Sequence, residues 1–373
     1  MNTRKEIHKA RLVASVIIGV LCTALVGAWA RLQNRDEKHA VLRSTIAFVS
    51  TRHDPTLDPA ADPQRSFLGA EIYLMDSDGT NPRRLTEDAY FDCFPALSPD
   101  GSRIVFDSNR LRTGAEPFNT SDLFVMNVNG TGQTHLVRGS SASWSPDGKR
   151  IAFHASASGT GQPIILLRPG AATTDSDIFV LNVDDFLKHR AQPRNITKNP
   201  AAVDEDADWS SDGRKILFTS HPVGDKTDND KTDNNVTAEI YEIDPDGKRK
   251  PERLTNNTEE ERAPAWSPDG KRILFMCRKG SPVPGGLVPT FELCVMNADG
   301  TGLRRLTNTG RYLTPHWSPD GRQIVFHKAV GGPGRFQLFL INADGTGERQ
   351  LTNPPGINGF ANWGSIRSAG SPR

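Results

Sequence analysis

Short runs of branched and aromatic residues recur along this chain, each closed by the same polar punctuation. The phrase Trp-Ser-Pro-Asp-Gly-x-x-Ile-x-Phe occupies residues 144–153, 266–275 and 317–326. Two altered copies put Leu97 before Ser98-Pro99-Asp100-Gly101 and place Ser211 for proline after Trp209-Ser210. A second phrase, as in Asp122-Leu123-Phe124-Val125-Met126-Asn127, appears six times, and a third, Arg84-Leu85-Thr86, returns as Arg253-Leu254-Thr255 and Arg305-Leu306-Thr307. Such apolar runs between Pro-Asp-Gly and Asp-Gly signals predict strands joined by tight turns. Proline presets φ at the first corner and glycine takes the positive φ that closes the turn. An EF-type calcium loop does not fit these phrases, because its ligand spacing and closing Glu are missing.

Each unit therefore carries four strands, A to D, in up-and-down order. Six copies of strand C predict an all-β, six-bladed propeller of four-stranded antiparallel blades. The first unit starts at strand B, Ile46-Ala47-Phe48-Val49-Ser50, and the strand it lacks returns at the far end as Ala361-Asn362-Trp363-Gly364-Ser365. A C-terminal strand completing the first blade would close the ring and leave no open edge.

Ahead of the repeats, residues 12–30 are almost continuously apolar or small and follow Arg4, Lys5, Lys9 and Arg11. That order predicts an exported chain whose residues 1–11 stay in the cytoplasm. The stretch is long enough for a transmembrane anchor, and Ala28-Trp29-Ala30 also suits a cleaved signal peptide. Residues 31–43 read as a linker, 44–366 as the propeller and 367–373 as a tail.

The 373 residues carry a net charge of +1, with 24% charged and 36% hydrophobic positions. That balance removes the basic footprint of a nucleic-acid binder. Four cysteines show no Cys-x-x-Cys metal spacing. Cys277 and Cys294 fall on strands B and C of one unit, where a disulfide or two buried thiols both fit.

The Trp-Ser-Pro-Asp-Gly, Asp-Ile-Tyr-Val-Met-Asn-type and Arg-Arg-Leu-Thr phrases resemble the repeat of TolB-like, or WD-like, propellers over about residues 44–366. About 13 residues separate the apolar segment from the first strand, where TolB itself carries an α/β domain, so the resemblance is to the propeller alone. It implies a bacterial periplasmic or cell-surface protein, anchored in the inner membrane or secreted, that binds an envelope protein or lipoprotein without catalysis or cofactor. Residues 12–30 would supply the membrane contact if uncleaved.

In an up-and-down unit the A–B and C–D turns share one side, here short apart from the stretch around Asp185. The long B–C and D–A connections share the other, where binding is expected. The D–A segments should ring the mouth of a central channel and bring Asp92, Asp204, Glu205, Asp206, Glu260, Arg262, Arg311, Tyr312 and Asn358 to it. Asp208, His316 and Asn362, each directly before a repeat Trp, are candidate channel-lining residues.

An enzyme using the same funnel, a metal-dependent carbohydrate lyase or a hydrolase, is the competing reading. It lacks a Gly-x-Ser-x-Gly elbow. His154 and His327 hold the same repeat position on strands that do not face the axis, so no metal site is predicted.

Overall fold

In every repeat the Ile-x-Phe run buries both of its named residues, from Ile46 and Phe48 to Ile324 and Phe326, all at most 1% exposed. Those two side chains share one face, and the residues of the other face, such as Ala47 and Val49, are buried as well, with strand B hydrogen-bonded on both sides in its sheet. The computed structural model describes residues 42–53, 69–88, 90–113, 121–156, 176–222, 238–278, 291–309, 312–331 and 335–367. The chain divides into a unit of Ser44–Ile366 and a second made of Met1–Arg43 with Arg367–Arg373. The apolar segment 12–30 lies outside the described residues. Among those described, no helix is long and apolar enough to cross a membrane.

The strands follow the repeats. The first three are β1 (Leu42–Ser50), β2 (Glu71–Asp76) and β3 (Arg83–Arg84). Then come β4 (Asp92–Leu97), β5 (Arg103–Ser108), β6 (Asp122–Asn127) and β7 (Thr134–Arg138), followed by β8 (Ser140–Trp144), β9 (Arg150–Ser156), β10 (Ser176–Asn182) and β11 (Arg194–Asn195). The fourth set is β12 (Ala202–Trp209), β13 (Ile216–Pro222), β14 (Glu239–Ile243) and β15 (Glu252–Arg253). The fifth is β16 (Glu261–Trp266), β17 (Arg272–Arg278), β18 (Phe291–Asn297) and β19 (Arg304–Arg305). Last are β20 (Tyr312–Trp317), β21 (Gln323–Ala329), β22 (Phe336–Asn342), β23 (Arg349–Gln350) and β24 (Asn358–Arg367).

Six separate four-stranded antiparallel blades do not form. Hydrogen bonding builds four four-stranded sheets, β24-β1-β2-β3, β4-β5-β6-β7, β16-β17-β18-β19 and β20-β21-β22-β23, while β8 to β15 make one eight-stranded sheet. The junction is a parallel bridge between Ser176 of β10 and Val203 of β12. It exists because β12 runs eight residues, against six in β4, β16 and β20, and so reaches β10. Ser176 Oγ reinforces the contact by donating to the Asp204 carbonyl at 3.0 Å. The expected apolar helix falls on residues 12–30, outside the described residues. Their helix is α1 (Val183–His189), short and polar, in the C–D stretch around Asp185 that reads as a loop in sequence. Asn182 caps it, and Phe186 and Val183 are its buried residues.

Turns and faces follow from the repeat phrase. Ser145 Oγ donates to Asp147 at 2.6 Å and accepts the Arg150 N–H at 2.9 Å, while Gly148 turns at φ 66°. Apolar side chains pack between neighbouring sheets, as where Leu217 and Ile240 meet Trp266, Ile273 and Phe275. The first unit closes as the sequence predicts: β24 pairs with β1, and Trp363 Nε1 donates to Ser44 Oγ at 2.8 Å. A disulfide joins Cys277 to Cys294 across β17 and β18, with Cα atoms 5.9 Å apart. Cys93 is a buried free thiol.

Candidate functional site

Six inner strands, β4, β8, β12, β16, β20 and β24, touch one another in turn, and the residues before each repeat Trp make the links. Where that residue is alanine, its carbonyl accepts the next indole: Trp144 Nε1 to Ala96 at 3.0 Å, Trp317 Nε1 to Ala265 at 3.3 Å. Where it is serine, aspartate or asparagine, its side chain takes the next main-chain N–H. Ser143 accepts from Trp209 at 3.2 Å, Asp208 from Trp266 at 2.7 Å and Asn362 from Leu97 at 3.0 Å. Asn362 Nδ2 also donates to His316 Nε2 at 2.9 Å, and His316 Nδ1 to the Trp317 carbonyl at 3.0 Å. Burial pushes Asp208 up to about 7 and lowers His316. The structure thus places Asp208, His316 and Asn362 in bonds between inner strands.

Two residues before each of these positions the backbone is left-handed, at Phe94, Ser141, Asp206, Ala263, Thr314 and Phe360, with φ between 41° and 55°. Register slips at this point in β4, β8, β12, β16 and β20, the mark of a β-bulge. Nothing in the residue types announces it. At three of these bulges the N–H finds an acceptor on strand B of the sheet before. Asp107 accepts from Ser141 at 3.2 Å, Met276 Sδ from Thr314 at 3.3 Å and His327 Nδ1 from Phe360 at 3.4 Å. Asp107, Met276 and His327 share one repeat position, directly after the strand B Phe. His154 holds that position beside β12, and its buried Nδ1 has no hydrogen-bond partner.

Four of the expected mouth residues come together between β12 and β16. Glu260 binds Arg262 Nε and takes Arg278 Nη2 at 2.7 Å. Arg262 Nη1 stands 3.6 Å from Glu205 Oε2, and His221 Nε2 is 3.9 Å from the same oxygen. Asp206, next along β12, accepts the Ala263 N–H. Burial raises Asp206, and repulsion from Glu205 adds to it. Burial also works to raise Glu205, yet His221, His154 and Arg262 together hold it below the usual carboxylate range. Arg262 and Arg278 likewise overcome burial to lower Glu260. Arg278, His154 and His221 are members of this cluster that the repeat alone does not single out.

The other expected residues lie elsewhere. Asp92 is fully buried, takes Arg110 Nη2 at 2.9 Å, and is raised by burial. Asp204 accepts from Ser220 Oγ at 2.6 Å and is raised by burial to about 6. Tyr312 buries its ring against Phe326 and donates to Glu348 at 2.8 Å. Asn358 accepts from Ser50 and Arg52 at 2.8 and 3.0 Å and donates to Gln337 at 2.9 Å. Arg311 lies outside the described residues. Among the described residues, Glu71, Asp88 and Asp92 gather ligand oxygens within 4.8 Å of one another, but Arg84 and Arg110 already occupy them.

Comparison with known proteins bears on this ring. A TolB beta propeller domain matches residues 165–367. TolB of Acinetobacter baumannii superposes with a TM-score of 0.62 at 20% identity, covering 86% of this chain and 66% of that one, just under two thirds. A TolB candidate from Agrobacterium tumefaciens gives 0.52 at 20% identity over 85% and 91%. Hydrazine synthase of Kuenenia stuttgartiensis gives 0.63 at 16% identity over 87% and 47%. At these identities the likeness is one of fold. Among curated proteins none matches the chain.

Proposed function

The chain belongs to the TolB beta propeller domain family, and from that membership we propose that it is a non-catalytic scaffold which captures a protein or peptide at the mouth of its inner ring. One observation carries this reading: Glu205, Glu260, Arg262 and Arg278 form a partly accessible cluster of mixed charge, with Arg262 26% and Arg278 18% exposed. Arg278 ends β17 and His221 lies near the end of β13, where two of the long B–C connections depart. Side chains at such strand ends sit on a rigid frame under variable loops. A periplasmic or cell-surface setting, with an envelope protein or lipoprotein as partner, completes the proposal. The basic-then-apolar order of residues 1–30 supports it, as does a disulfide suited to an oxidising compartment.

Cross-linking pull-downs from membranes should capture at least one partner with the wild type and lose it with both Arg262→Glu and Glu260→Lys. The double variant Glu260→Arg with Arg262→Glu, which restores the ion pair in reverse, separates charge recognition from simple pairing. If every partner survives both single changes in folded protein, the mouth is not the binding site.

A further inference from the structure

Glu260, Arg262 and Arg278 lie at the start of β16 and the end of β17, and the A–B turn joins the other ends of the same two strands. On that far side successive A–B turns abut. A Cβ on Gly213 would lie 3.2 Å from Pro146 Cγ, one on Gly270 3.0 Å from Ser211 Oγ and one on Gly321 3.5 Å from Pro268 Cδ. The C–D turns join them there, since Val183, Ala298 and Ala343 donate main-chain N–H groups to the carbonyls of Lys149, Lys271 and Arg322 at 3.0, 2.9 and 2.9 Å. Gly148-Lys149-Arg150, Gly213-Arg214-Lys215 and Gly270-Lys271-Arg272 each end the turn on two basic residues, and Gly321-Arg322 on one. The second of each pair is engaged within the fold. Arg150 and Arg272 each stack 4.7 Å from the ring centre of Trp209 or Trp317, and Lys215 pairs with Glu242 at 2.5 Å. Lys149, Arg214, Lys271 and Arg322 stand exposed.

The carboxylates of these turns are held in the turns themselves. Asp147 and Asp269 each accept the turn serine hydroxyl at 2.6 Å and the Lys149 or Lys271 N–H at 3.1 Å, while Asp212 stands 3.9 Å from Arg214. Asp184 of α1 pairs with Arg103, and Asp246, beyond β14, pairs with Arg194. Two cations to one aspartate in three of the four turns leave this side positive, and exposed Lys248, Arg249 and Lys250 extend it. Leu187 and Leu303, both exposed, lie in C–D stretches of the same side and suit the boundary between head groups and acyl chains. Ser44 is here too, its carbonyl accepting the Ser77 N–H of the turn after β2 at 3.3 Å. Residues 31–43 alone separate it from the apolar segment 12–30. A tether of that length spans about 20 Å root-mean-square, so a membrane-anchored chain meets lipid with this side first. Anionic head groups attract Lys and Arg only within a Debye length, and a short tether makes a weak attraction sufficient. We propose that the A–B side, through Lys149, Arg214, Lys271 and Arg322, docks on anionic phospholipid head groups and so turns the mouth away from the membrane. The proposal rests on residues 12–30 remaining as an anchor and goes beyond the scaffold reading.

The test places the full-length protein in nanodiscs of phosphatidylcholine, with or without phosphatidylglycerol, and acetylates its lysines with an uncharged reagent read by mass spectrometry. Lys149 and Lys271 should label about threefold or more slowly on the anionic discs than on the neutral ones. Lys198, exposed between β11 and β12 on the mouth side, should label alike on both. Raised salt should erase the difference. The double variant Arg214→Glu with Arg322→Glu keeps both reporting lysines and should lose most of their protection. Equal rates on the two discs would leave the basic side to a soluble acidic partner and overturn the proposal. Protection shared by Lys198, or kept in full by the folded double variant, would overturn it as well. A chain that stays out of both discs faults the anchor and the proposal with it, whereas one that enters both and labels alike faults the docking side alone. The pull-down reads the mouth, so neither result touches the scaffold reading.

Discussion

Glu261, the first residue of β16, is fully buried beside Glu239, and a proton between them keeps two carboxylates from facing each other. Burial first, then repulsion from Glu239, pushes Glu261 up to about 8. Asn257 Nδ2 donates to Glu261 at 2.5 Å, and Arg253 pairs with Glu239 at 2.5 Å. The unfolded carboxyl would titrate near 4.5. Between about 4.5 and about 8 the folded state thus holds a proton that the unfolded state has released. Stability should fall as pH rises through that window, by up to about 1.4 kcal/mol per pH unit for one whole proton. Asp204 and Asp208, raised to about 6 and about 7, act in the same direction, so substitution is needed to isolate the share of Glu261. Glu261→Gln keeps an acceptor for Asn257 and a donor for Glu239 without the titration. Urea unfolding across this range should give a flatter dependence on pH than the wild type, and an equal slope would show that the pair shares no proton.

At the scale of elements, the Arg-Leu-Thr phrase has a role that its residue types only half reveal. Each threonine hydroxyl reaches the start of strand C in its own sheet. Thr307 Oγ1 donates to Glu292 Oε2 at 2.6 Å and accepts the Leu293 N–H at 2.9 Å. Thr86, Thr255 and Thr352 accept the corresponding N–H groups of Ile72, Ile240 and Leu338. Thr307→Val leaves a carboxylate 1% exposed and a main-chain N–H unpaired, and should cost about 2 kcal/mol or more. Thr307→Ser, which keeps the hydroxyl, should recover most of that loss in chemical denaturation. Equal losses would make the site one of methyl packing. Strands and turns were legible because proline, glycine and the aromatic runs constrain backbone and face locally. The faces of the inner strands were not. A bulge three residues before each Trp slips the alternation, so counting outward from the Trp misassigns faces. Hence Glu205, Glu260 and Arg262 gather as their charges suggest, while Tyr312 bonds within its own sheet and Asn358 bonds both to Ser50 of its own sheet and to Gln337 of the neighbouring one. His154, placed by the repeat but not as a mouth residue, and His221 join the cluster because of which neighbouring repeat they meet, which no single repeat encodes.

For the whole propeller domain, the decisive contact is the one between its first and last strands, β1 and β24. The split first unit could be read from the stray Ala361-Asn362-Trp363 copy, since only a ring uses such a strand. The merging of β8 to β15 into one sheet could not, because the bridge at Ser176 and Val203 depends on how far β12 extends past its bulge. Closure itself rests on β24 lying between β1 and β4. Ser365 and Ile366 press against the turn that joins β4 to β5, where a Cβ on Gly101 would come within 2.2 Å of the Ser365 carbonyl oxygen. Gly101 and Gly331 turn at similar angles, φ 67° and 74°, but nothing lies within 4 Å of a Cβ at Gly331. Alanine at the two sites therefore carries the same backbone strain and differs in whether β24 must move. Gly331→Ala should cost about 1 kcal/mol, the left-handed penalty alone. Gly101→Ala should cost about 3 kcal/mol or more, with the excess appearing as faster amide exchange in β24 and β1 before the other sheets. Were the two variants equally stable, or the excess spread evenly over all sheets, the last strand would not be what holds the ring closed.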